Sequence, residues 1–307
     1  MNVTVTAPPA KAHTLRAILL GALAEGQTIV ENPLLGDDQL HLIECLRTLG
    51  VSIERESGRL IIQGTAGKFR PVADTIDVGE SGVAMNTLLS AACLVDRDIT
   101  ITGSNGLIAR PVADLVAGLR QLGCEIEYVG AEGYPPVIAK SREIPGGTTR
   151  LSGKKTSQYF SSMALSAPLA KSDVTLVCVD DMSEKPYFDI TAEMMEKFGI
   201  KIENRGYKEI RVHAGQSYRG TEVRVEGDYS SASFFMLAAA VCKSRVRILG
   251  LNGSSKQGDI KFIDHMRAMG CAVNWEGDDL VIEGGTLKPI TVSMFDTPDL
   301  VPPLAIA

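Results

Sequence analysis

The residues best suited to bind or move charge gather at four places: Lys11 to Arg16, Glu80-Ser81-Gly82, Thr156-Ser157-Gln158, and Asp228 to Ser231. Each place opens an apolar helical stretch. A helix start offers unpaired N–H groups and the positive end of a dipole, so several converging starts bind anions without net basic charge. Any one of these serines also reads as an ordinary helix cap. Lys11 and Arg16 add cations, and Arg110 heads the helical stretch ARPVADLVAGLRQLG. A cation at a helix start opposes the dipole, and an anionic ligand would resolve that conflict. No Walker loop, nucleophile triad or metal-ligand spacing occurs. The chemistry open to such residues is charge stabilisation with proton transfer by Lys, Asp or Glu.

The elements that must position these residues repeat. LRTLGVSIE, LRQLGCEIE, MEKFGIKIE and MRAMGCAVN share a glycine at Gly50, Gly123, Gly199 and Gly270. Each glycine follows an amphipathic helical stretch and precedes alternating strand residues, the place of a left-handed C-cap. Upstream of each lies a helix rich in small and apolar residues (LRAILLGALAEG, AMNTLLSAACLV, FSSMALSAPLA, SFFMLAAAVC), expected to be buried on nearly every side. A short strand follows it: QTIVEN, DITITG, DVTLVC or RVRILG. After the glycine comes a hairpin such as VSIERESGRLIIQG. The unit is helix–strand–helix–strand–strand, used four times in an α/β chain. A fifth unit starts at DTPDLVPPLAIA and stops inside its first helix, so the expectation is a chain cut off at its C-terminus.

The 307 residues, 45% hydrophobic, suffice for two domains, and the net charge of −6 gives no global field for nucleic acid or anionic lipid. There is no long apolar run or signal-peptide core, which points to the cytoplasm. The six cysteines are scattered and read as reduced core thiols.

On KAHTLRAILLGALAEG, ARPVADLVAGLRQLG, TSQYFSSMALSAPLA, EKPYFDITAEMMEKFGI, VEGDYSSASFFMLAAA, KQGD and DTPDLVPPLA, the sequence resembles the 5-enolpyruvylshikimate-3-phosphate synthases from Lys11 to Ala307. The resemblance implies a two-domain inside-out α/β barrel. Residues 10–226 would form a complete three-unit domain, and residues 1–9 plus 227–307 part of the other. It implies transfer of the enolpyruvyl group of phosphoenolpyruvate to the 5-hydroxyl of shikimate 3-phosphate, with release of phosphate. It implies no cofactor or metal, a monomer, and no nucleic-acid or membrane partner. Carried over by motif, Lys11, Gly82, Arg110 and Gln158 would hold phosphoenolpyruvate. Arg16, Thr156, Ser157, Gln158 and Tyr187 would hold the acceptor. Lys11 and Asp299 would be catalytic, Asp299 as base toward the 5-hydroxyl. By itself, Asp299 reads as a helix cap just after Pro298. A Lys-Glu-Thr-Asp-Arg-like segment and two cationic positions of the family would lie beyond Ala307, implying weak binding and poor turnover here.

Three departures from the family pattern read as facing the acceptor: Ala12 for a serine, the stretch Glu80 to Asn86 with a gained carboxylate and a lost arginine, and Glu184 for a serine that touches the substrate phosphate. A carboxylate that close to a phosphate costs about 1–4 kcal/mol per charge pair. Two alternatives follow: a paralogue with another acceptor, and a non-catalytic relative. The loop SNGLIAR lacks the cysteine typical of UDP-N-acetylglucosamine enolpyruvyl transferases.

Overall fold

The structure is a computed structural model that describes residues 2–307. A first strand, β1 (Asn2–Thr6), precedes unit one: α1 (Lys11–Leu23), β2 (Gln27–Glu31), α2 (Asp37–Thr48), β3 (Ser52–Glu56) and β4 (Arg59–Gln63). Unit two holds β5 (Thr75–Asp77), α3 (Gly82–Ala92), β6 (Ile99–Thr102), the short α4 (Asn105–Ile108), α5 (Ala113–Gln121), β7 (Ile126–Tyr128) and β8 (Val137–Ala139). Unit three holds β9 (Gly147–Leu151), α6 (Gln158–Ser166), β10 (Val174–Cys178), α7 (Lys185–Lys197), β11 (Glu203–Arg205) and β12 (Glu209–Val212). Unit four holds β13 (Glu222–Arg224), α8 (Tyr229–Val241), β14 (Arg245–Leu249), α9 (Phe262–Met269), β15 (Ala272–Glu276) and β16 (Asp279–Glu283). A 3-10 turn (Pro298–Leu300) then leads into α10 (Val301–Ile306).

The repeat survives in three dimensions, and Gly50, Gly123, Gly199 and Gly270 all have the positive φ that a left-handed helix end demands. Each unit carries one strand more than the sequence pattern suggests. A short leading strand pairs parallel with the first strand of a four-stranded sheet whose other pairings are antiparallel. In units two and three this leader comes from the same unit, β5 on β6 and β9 on β10. Units one and four exchange theirs: β13 lies parallel to β2, and β1 lies parallel to β14. The exchange makes the chain cross twice, at Pro8–Ala10 and Glu226–Asp228. The two crossings are tied by Ala10 N–H to Glu226 O (2.8 Å) and Asp228 N–H to Pro8 O (2.8 Å). One hydrophobic cluster runs from Ala10 to Val225, and a second comprises Ala7 and residues between Tyr229 and Leu300.

Burial alternates along the strands, so each sheet turns one face to the core. The helices α1, α3 and α6 fill the interior, with nearly every residue buried. The expectation fails for α8. Phe234 and Val241 are each 51% exposed, because only the face bearing Tyr229, Ala232, Met236 and Ala239 meets the second cluster. Five of the six cysteines are buried; Cys242 is exposed.

Candidate active site

The first turns of α1, α3, α6, α7 and α8 face one cleft. One part, about 380 Å³, is lined by Lys11, Arg16, Val83, Gln158, Tyr187 and Ser230, together with Asp228, Asp259 and Asp299. The adjoining part is lined by Lys11, Gly82, Asn86, Arg110, Thr156 and Gln158, with Glu80 and Glu184. Lys11, Val83, Gln158 and Glu184 belong to both walls, so the two parts are continuous. Eight of the nine residues singled out from the sequence therefore meet here.

The exception is Ser157. It is fully buried, and its hydroxyl donates to Glu184 O (2.9 Å) instead of pointing into the cleft. Capping explains some polar residues and not others. Ser81 Oγ accepts from Ala84 N–H and Asp228 from Ser231 N–H, as helix caps do, but Ser157 caps nothing. Asp299 does not cap either. It lies within the turn Pro298–Leu300, and its Oδ2 accepts the Tyr187 hydroxyl (2.7 Å). Burial first, then the carboxylates of Asp259 and Asp299, push the Tyr187 phenol well above its ordinary range, so it stays a donor.

Lys11 is the first residue of α1. Its N–H donates to Asp228 Oδ2 (3.2 Å), while its ammonium pairs with Asp38 of α2. Arg16, one turn on, is buried. It donates to Thr191 Oγ1 (2.8 Å), Ala12 O (3.0 Å) and Tyr187 O (2.9 Å). All three acceptors are neutral. Burial lowers the guanidinium to about 10, the signature of a cation lacking a counter-ion at the cleft wall.

Arg110 departs from its expected setting. It does not begin α5; it follows α4, and its N–H bonds Leu107 O (2.9 Å). A cation after a helix end has no quarrel with the dipole. Its neighbour is instead Glu80, whose Oε2 lies 3.8 Å from Arg110 Nη2. The Glu80 carboxylate thus lies nearest Arg110, in the part of the cleft that Thr156 and Gln158 also line. Asn86 donates to Gln158 Oε1 (2.9 Å), and Glu184 accepts from Thr156 Oγ1 (2.8 Å) at the start of α7. Glu184 and Asn86 thus occupy polar groups that otherwise face the cleft.

Sequence reasoning missed Asp38 and Asp259. Burial, then the Asp299 charge, then that of Asp228, push the Asp259 carboxyl up to about 7. The short motif KQGD, which carries it, was the available signal. Among the described residues no group of three or more His, Cys, Asp or Glu side chains could hold a metal ion, and no helix is long and apolar enough to cross a membrane.

The comparisons with known proteins concern the family and the fold. The family model described as EPSP synthase (3-phosphoshikimate 1-carboxyvinyltransferase) matches residues 1–307. A 3-phosphoshikimate 1-carboxyvinyltransferase of Methanoculleus marisnigri is 42% identical over 307 residues, covering 99% of this chain and 72% of that protein. The protein of that name from Shewanella pealeana is 37% identical over 300 residues, covering 96% and 70%. An EPSP synthase structure from Acinetobacter baumannii superposes with a TM-score of 0.81 at 26% identity, covering 99% of this chain and 68% of that one. With helices inside and sheets outside, the chain belongs to the EPSP synthase family and is a transferase of the shikimate pathway.

Proposed function

We propose that this cleft transfers the enolpyruvyl group of phosphoenolpyruvate to the 5-hydroxyl of shikimate 3-phosphate through the residues named above. The observation that carries the residue roles is the convergence of five helix starts on one cleft that also holds Lys11, Arg16 and Arg110. In this reading Lys11, the Gly82 backbone, Arg110 and Gln158 take phosphoenolpyruvate. Arg16 takes the acceptor carboxylate, since its buried charge has only neutral partners. Thr156 and Gln158 take the acceptor phosphate and ring, with Ser157 joining them only by turning its hydroxyl from Glu184 O. Tyr187 lines that side and steadies Asp299.

Asp299 removes the 5-hydroxyl proton as the oxygen adds to C2 of phosphoenolpyruvate and C3 gains a proton. The tetrahedral adduct then loses a methyl proton and phosphate, which leaves the enol ether. Lys11 stabilises the charge that develops on the phosphate. The division into a domain of residues 10–226 and one of 1–9 with 227–307 is part of the same proposal, supported by the two hydrophobic clusters and the paired crossings. Closure about those crossings would bring Asp299 and Lys11 onto bound substrates. We place the chain in the cytoplasm as a monomer working on small molecules.

The test is phosphate release from phosphoenolpyruvate. Release that depends on shikimate 3-phosphate and disappears in Lys11→Met supports the reading. Release with another hydroxyl compound, but none with this acceptor, would sink it.

A further inference from the structure

Glu80 is seated, not merely exposed. Its carboxylate accepts the Ser104 hydroxyl and rests over Gly106, where a Cβ would sit only 2.9 Å from Oε2. Ser104 and the absent side chain at 106 thus build a place for a carboxylate 3.8 Å from Arg110 Nη2. Across the cleft, the Lys11 ammonium is likewise held by Asp38. Lys155, which lines the same part of the cleft, pairs with Asp114 (2.6 Å), so the three exposed cations Lys11, Arg110 and Lys155 are each already engaged by a carboxylate.

We infer that Glu80 sets the affinity for phosphoenolpyruvate by acting as the resident counter-ion of Arg110, so that the substrate enters by exchange. The inference rests on the proposal that Arg110 binds phosphoenolpyruvate. Two effects add. The substrate must break the Arg110–Glu80 pair, a small effect because both side chains are about 60% exposed. The Glu80 carboxylate, kept in place by Ser104, then faces the substrate's negative charge across a few ångströms. Asp38 lines the same part of the cleft against Lys11, but among the described residues no hydroxyl donates to it as Ser104 does to Glu80. Glu80 is therefore a specificity residue: it weakens binding of a polyanion at Arg110 most, and acts less on an acceptor held by Arg16 and Tyr187 in the other part of the cleft.

The experiment is calorimetric titration of phosphoenolpyruvate and, separately, of shikimate 3-phosphate into the protein, Glu80→Gln and Arg110→Gln. Glu80→Gln should tighten phosphoenolpyruvate binding by roughly five- to thirtyfold. The gain should shrink at high salt, and the change in shikimate 3-phosphate affinity should be smaller than that for phosphoenolpyruvate. Unchanged or weaker phosphoenolpyruvate binding by Glu80→Gln overturns the inference and leaves the reading of the cavity standing, provided Arg110→Gln weakens the same titration. If Arg110→Gln leaves phosphoenolpyruvate binding intact, the assignment of the cavity fails, and the inference fails with it. Thermal melting of Glu80→Gln that matches the parent protein shows that a change in fold is not the cause.

Discussion

Replacing Asp259 by Asn should stabilise the protein at pH 8 and should do so progressively less as the pH falls. Asp259 is 6% exposed and packs beside Asp299 and Asp228 with no cation against it. A carboxyl whose pKa is raised on folding binds its proton more tightly in the folded state. Its favourable contribution is complete below the ordinary value of 3.8 and is lost as the pH rises through about 7. At pH 8 that loss amounts to about 4 kcal/mol, each pH unit between the two values costing about 1.4 kcal/mol. Water entering the cleft reduces it, so about 2–4 kcal/mol is the expected gain for Asp259→Asn. Near pH 4 the two proteins should differ by less than about 1 kcal/mol. The assay is urea denaturation followed by the fluorescence of Trp275, the single tryptophan, which packs against the second hydrophobic cluster and beside Gly253. Following one cluster avoids assuming that both unfold together. A stability difference independent of pH, or an Asn variant weaker at pH 8, would refute the reasoning.

Other consequences are open to simpler checks. Arg16→Met should weaken shikimate 3-phosphate binding by about a hundredfold, the loss of a charge-assisted contact. It should alter folding stability by under about 2 kcal/mol, because the guanidinium has only neutral partners. Gly64→Ala should destabilise by about 3 kcal/mol or more in denaturation, since its Cβ would meet Ala24 O at 2.1 Å. On the surface, the Ala214 N–H, Arg211 and His213 hold Asp173 down to about 2, and Asp173 with Glu203 raises His213. The Asp173 contribution should vanish only as the pH falls through about 2. That of His213 is full below its ordinary 6.5 and is lost above its raised value, so His213→Gln should flatten the alkaline fall in melting temperature.

Much of the fold was legible because each unit repeats a local rule. A helix that ends at Gly50, Gly123, Gly199 or Gly270 needs φ above zero, and that need shows in one sequence without a partner. The leading strands were not legible. β5 and β13 are three residues long, and nothing in β1 says that it pairs with β14, more than two hundred residues away. Gly64 and Gly284 were overlooked, although each ends a hairpin at the same point of its unit and lies against a helix carbonyl, of Ala24 and Ala239 respectively. The exposed side of α8 was hidden because its composition is as apolar as that of α3.

At the site, residue types and helix starts located Lys11, Arg16 and Arg110, but side-chain direction was beyond the sequence. Ser157 turns to Glu184 O, and Glu80 turns to Arg110. The raised carboxyl of Asp259 depends on charges at 228 and 299 that only the fold brings near it.

The account rests most heavily on two anionic substrates sharing one cleft between the two hydrophobic clusters. A crystal structure of the chain with shikimate 3-phosphate and phosphoenolpyruvate tests this directly. The account predicts the acceptor carboxylate on Arg16, its 5-hydroxyl toward Asp299, and phosphoenolpyruvate between Lys11 and Arg110 with Glu80 displaced. Either ligand bound outside this cleft, or an acceptor turned with its 5-hydroxyl away from Asp299, would contradict it.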